Sequence, residues 1–140
     1  MKKFVFSMQK ALDYRQMLKQ KAEAELGKAV SEETKIKDTL ELIARERVQT
    51  IQYADTLKDL NTLNRMNQYL LALDSKKEML LEQLAQAKLV TEQKRRLMQE
   101  ALNKVRALEK LRDGQQSQWK QQMQKAEAKE VDDIINSRYR

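Results

Sequence analysis

Alternating steps of three and four residues from Leu12 meet Leu12, Arg15, Lys19, Ala22, Leu26, Ala29, Glu33, Ile36, Leu40 and Ile43, of which seven are apolar. A second walk starts at Leu70 and passes Leu73, Lys77, Leu80, Leu84, Ala87, Thr91, Lys94, Met98, Ala101 and Val105 to Leu108, with nine of its twelve positions apolar. A repeat averaging ~3.5 residues and sustained this long is the seam of a left-handed coiled coil. Ala22, Ala29, Ala87 and Ala101 allow close approach of the helices, whereas the charged seam positions cost stability.

The two walks do not join in phase. Between them lies Asp59-Leu60-Asn61-Thr62-Leu63-Asn64-Arg65-Met66-Asn67, rich in short polar side chains that bond their own backbone and favour turns and caps. The pattern predicts an all-α chain, a single coiled-coil domain of two long helices forming an antiparallel hairpin. The expected helices cover about residues 4–58 and 66–137, joined by a turn at about 59–66, with Asn64 or Asn67 as N-cap. At ~1.5 Å per residue the arms would be ~80 and ~110 Å long, giving an elongated monomer. Pairing about residue 62 brings the N-terminus beside residue 120 and leaves the last stretch of the second helix beyond its partner. One continuous, dimerising helix is the alternative.

Composition agrees with this reading. The 140 residues include 35 % charged side chains, two glycines and no proline, cysteine or histidine. So few turn formers argue against β or α/β folds, and the profile is that of long helices. Without cysteine there is no disulfide, thiolate nucleophile or thiolate zinc site. Without histidine the commonest general base and metal ligand are missing. Paired carboxylates such as Glu32/Glu33 and Asp132/Asp133 have no cleft to separate their pKa values. The expectation is a non-enzyme with no cofactor, metal or small-molecule substrate. The apolar run after Lys2 and Lys3 is too short for a signal peptide, and Met66–Leu73 is too short to span a bilayer. A cytoplasmic protein is expected.

The net charge of +7 raises nucleic-acid binding. The densest basic run, Lys94 to Arg112, is interrupted by Glu100 and Glu109, and Trp119 and the tyrosines are scattered, so neither a groove reader nor a stacking platform results. A solvated face with pairs such as Glu92–Arg96 and Lys129–Asp133 accounts for most of the charge. Exposed apolar residues are more informative. Tyr69, Leu70, Leu71, Leu73 and Leu81 exceed what one seam buries. Phe4, Val5, Phe6 and Trp119 are brought together by the hairpin pairing, either as a plug that staples the open end or as a docking tip.

Three segments resemble a known family. Lys3-Phe4-Val5-Phe6 followed by Ala11-Leu12-Asp13-Tyr14-Arg15 is similar to the start of the FliJ family of bacterial flagellar export proteins. Asn67-Gln68-Tyr69-Leu70-Leu71-Ala72-Leu73-Asp74 resembles the segment after that family's turn. Leu108-Glu109-Lys110-Leu111-Arg112 with Ala126-Glu127-Ala128-Lys129-Glu130-Val131-Asp132-Asp133 resembles its end.

The resemblance implies a stalk similar to that of rotary ATPases, inserted in the ring of the export ATPase FliI and touching the export gate FlhA. Export chaperones are further implied partners, and the location is peripheral to the inner membrane through the export apparatus. Carried over, the gate patch falls on Tyr69, Leu73, Lys76 and Leu80, with Lys76 standing where a small apolar residue is expected. The ATPase-facing end falls on Phe4, Phe6, Leu12 and Arg15 with the second helix from Trp119 through Met123, Val131 and Ile134. An injectisome stalk shares this architecture, and a basic structural or nucleic-acid-associated coiled coil is the reading from another class.

Overall fold

The computed structural model describes residues 2–56 and 58–139. Two helices account for nearly all of them, α1 (Gln9–Ala54) and α2 (Leu60–Arg138), and these long helices pack against each other. The chain divides into two compact units, Met1–Lys21 with Gln99–Arg140 (unit 1) and Ala22–Met98 (unit 2).

The seam read from the sequence is the covered face. Every position of the first walk is buried or half-buried, and in the second walk only Lys77 is exposed. A lysine stem can lie along its apolar neighbours while the ammonium stays in water. In unit 1, Phe6, Leu12 and Val105 form a buried cluster, with Phe4 and Leu108 packed against it. Leu12 and Val105 are completely covered, which contributes about 1.5–3 kcal/mol for each such side chain. In unit 2 the cluster is Ile43, Leu73 and Leu80, flanked by Ile36, Leu40 and Leu70. Thr91 is the buried polar seam residue there. Its hydroxyl donates to the Ala87 carbonyl at 3.0 Å, so burial leaves no unmade bond.

The helix ends differ from the expected ones. α1 starts at Gln9 rather than near residue 4, and residues 2–6 are not helical. Phe4 is half-buried and Phe6 buried, whereas Val5 between them is 81 % exposed. That alternation is the period of an extended backbone. In a helix, Phe4 and Phe6 would point to nearly opposite sides, so only the non-helical form buries both.

The connection also lies earlier than the expected 59–66. Thr56 closes α1 by donating both its N–H (3.1 Å) and its hydroxyl (2.7 Å) to the Tyr53 carbonyl. The cap of α2 is Asp59, not Asn64 or Asn67. One carboxylate oxygen of Asp59 accepts from the Asn61 N–H at 3.2 Å and the other from the Thr62 hydroxyl at 2.9 Å. The Asp59 carbonyl accepts the first helical bond, from Leu63, at 3.1 Å. A charged cap suits the positive end of the helix dipole, and Asn61, Asn64 and Asn67 are then carried on as exposed helical positions. Leu57 lies outside the described residues.

Candidate functional site

In unit 1, the Phe4 and Trp119 rings pack with centroids 6.1 Å apart and planes tilted by 52°. This is a favourable edge-biased aromatic geometry. Phe4, Phe6 and Leu12, expected at a docking end, are therefore the packing that holds this unit together. Arg15 is half-buried, and its guanidinium stands 6.0 Å from the Tyr14 ring centroid. Trp119 and Met123, both half-buried, line a shallow groove of about 190 Å³ together with Lys2, Lys120, Gln124 and Glu127. From residue 124 to residue 139 every side chain is exposed. Val131 and Ile134 belong to that stretch, and Ile135, which the sequence reading did not single out, adds to the same apolar surface.

In unit 2, the four residues carried over to the gate patch separate onto two rows. Leu73 and Leu80 are only 6 % and 8 % exposed, inside the cluster with Ile43. Tyr69 and Lys76 are exposed. The spacing explains this: Leu73 and Leu80 are seam positions, while Tyr69 and Lys76 occupy the row beside the seam. Tyr69 is fixed by Glu46, whose carboxylate accepts a hydrogen bond from its hydroxyl. Glu46 escaped the sequence reading because nothing in the spacing says which helix faces Tyr69. Near Leu73, Arg47 Nε lies 3.5 Å from Asp74, and a second guanidinium nitrogen of Arg47 is buried without a hydrogen-bond partner.

The surface charge is organised differently from the expectation. Residues 22–98 hold 13 basic and 13 acidic side chains, so the net charge of +7 belongs to unit 1. Pairs of the helical spacing form at Glu25–Lys28, Glu32–Lys35, Glu33–Lys37 and Glu41–Arg45, rather than at Glu92–Arg96 or Lys129–Asp133. Being largely exposed, they add little stability. Among the described residues no group of three or more Asp or Glu is placed to hold a metal ion, and no helix is long and apolar enough to cross a membrane.

Two long helices packed along an apolar seam define an all-helical protein of the coiled-coil class. The chain belongs to the FliJ family: the family model of the flagellar FliJ protein matches residues 4–140. It is thus a flagellar export-related coiled-coil protein, from a family of non-enzymatic export components. No curated protein and no solved structure matches the chain.

Proposed function

We propose that this chain is an antiparallel coiled-coil hairpin serving as the stalk of a flagellar export machine. One end docks in a FliI-like ATPase ring and the other contacts a FlhA-like gate, with export chaperones as further partners. The antiparallel reading is supported within each unit by the direction of the pairings. In unit 2, Glu25 meets Lys94 at 3.6 Å and Arg47 meets Asp74; in unit 1, Leu12 clusters with Val105 and Phe4 meets Trp119. In each unit, earlier residues of the first segment pair with later residues of α2.

The observation that carries the reading is the uncovered end of α2. Val131, Ile134 and Ile135 are about half exposed on a helix with no covering element over residues 124–139. On a coiled-coil member of this family, such a stretch is suited to binding another protein. In this reading Met123, Val131 and Ile134 contact the ring. Phe4, Phe6 and Leu12 act from beneath by holding Trp119 and its helix in place, and Arg15 lies at the border of the contact. At the gate, Tyr69 and Lys76 are the contact residues, and Leu73 and Leu80 support them.

A stalk that binds only assembled rings raises turnover by mass action, most strongly where the ATPase is dilute. Steady-state ATPase assays across enzyme concentrations should show stimulation by the full chain and a reduced effect after removal of residues 121–140. No stimulation by the full chain rejects the stalk.

A further inference from the structure

The positive charge of unit 1 is confined to its covered part. Residues 124–140 hold four basic and four acidic side chains and are neutral, so the whole net charge of +7 falls on residues 1–21 and 99–123, with eleven basic and four acidic. The first 21 residues alone carry six cations and one anion, Asp13. Lys2, Lys3, Lys10 and Lys21 are exposed, and none of them has an ion pair or hydrogen bond among the described residues. Unit 2 differs, since its charges balance and many of them pair along the helix. Unpaired charge of one sign concentrated in one unit is an electrostatic footprint for a negative partner.

The charge is mixed with exposed apolar side chains on one row of α1. Lys10, Tyr14, Met17 and Lys21 follow one another at steps of four, three and four, which places them on one side of the helix over ~16 Å. All four are exposed, Tyr14 by 54 % and Met17 by 56 %. The seam positions Leu12, Lys19 and Ala22 face α2, so this row looks away from it. Asp13 stands beside the row, and its carboxylate accepts a hydrogen bond from the Gln9 side chain at 2.8 Å. A tyrosine and a methionine between two lysines give a helix face with apolar bodies and cationic tips.

We infer that this face of unit 1 lies on the surface of an anionic lipid bilayer. Tyr14 and Met17 enter the interface between headgroups and acyl chains, while Lys10 and Lys21 keep their ammonium groups among the lipid phosphates. A nucleic acid matches the charge but leaves Tyr14 and Met17 without burial, because its backbone offers phosphates only. An acidic protein presents carboxylates at fixed points, whereas these lysines are held at none. Mobile headgroups come to the cations instead. The inference does not rest on the stalk reading, whose ring contacts Met123, Val131 and Ile134 lie outside the row.

The test is co-sedimentation of the full chain with vesicles, either phosphatidylcholine alone or phosphatidylcholine mixed equally with phosphatidylglycerol. The anionic vesicles should bind it at least about ten-fold more tightly. Lys10→Gln with Lys21→Gln should weaken that binding by about ten-fold or more, whereas Lys10→Arg with Lys21→Arg keeps it. Tyr14→Ser with Met17→Ser leaves the charge unchanged and should still weaken binding by about ten-fold, while Leu71→Ser, exposed in unit 2, has no effect. Circular dichroism shows whether each variant keeps its helices. Equal binding to both kinds of vesicle, no binding, or folded serine variants that bind like the parent overturns the inference. So does tighter binding to duplex DNA or to polyglutamate at equal anionic charge, because the partner is then a nucleic acid or an acidic protein.

Discussion

Across the helices of unit 2, the hydroxyl of Tyr69 on α2 donates a hydrogen bond to the carboxylate of Glu46 on α1. The bond ties an exposed aromatic ring to a defined place beside the buried Leu73. It also raises the Tyr69 pKa above its ordinary 10.0, mainly through the hydrogen bond to Glu46, then through partial burial and the negative charge of Glu46.

The sign of that shift gives the first prediction. A raised pKa means that the folded chain keeps the proton where the unfolded chain has lost it. The contribution to stability is therefore full below the unfolded pKa and is lost as pH rises through the folded one. Glu46→Gln should bring the Tyr69 titration down in pH, followed by NMR of its ring carbons. An unchanged titration would show that the bond is not made in solution.

The proposed gate patch should separate into two kinds of residue. Leu73→Ala empties a core position and should cost about 2–5 kcal/mol in denaturant unfolding. Tyr69→Ala, on an exposed row, should leave the fold within about 1 kcal/mol of the parent while weakening binding to the gate protein. Normal gate binding by Tyr69→Ala would reject the proposed patch.

The two glycines offer a stabilising test. Both lie inside helices without positive φ, and a Cβ added at Gly27 or Gly114 meets no atom within 4 Å. Gly27→Ala and Gly114→Ala should each raise stability by up to about 1 kcal/mol. A loss in urea titrations would reveal a close approach at these positions that the fold does not contain.

The start of α2 can be checked in the same way. Asp59→Ala removes a cap and should cost about 1 kcal/mol. Asn64→Ala and Asn67→Ala, at exposed helical positions, should be neutral or slightly favourable. A larger loss at Asn64 than at Asp59 would move the helix start back to where the sequence alone suggested it.

The sequence by itself determined the two helices and their covered faces, because a spacing of three and four is a local property that a helix converts directly into one stripe. Leu12, Ile43, Leu73 and Val105 were all named by that rule, and all are buried. The family was likewise legible, in segments spread along the chain. Three matters needed the tertiary structure. Several short polar residues could cap α2, and only the structure shows that Asp59 does so, through Asn61 and Thr62. Phe4 and Phe6 share a side only where the chain is extended, and that form is selected by the core they enter, not by their own propensity. The carried-over patch of Tyr69, Leu73, Lys76 and Leu80 looks like one helix face, yet α1 covers Leu73 and Leu80 and leaves Tyr69 and Lys76 to solvent. Spacing places a residue on a helix, but only the neighbouring helix decides whether water reaches it.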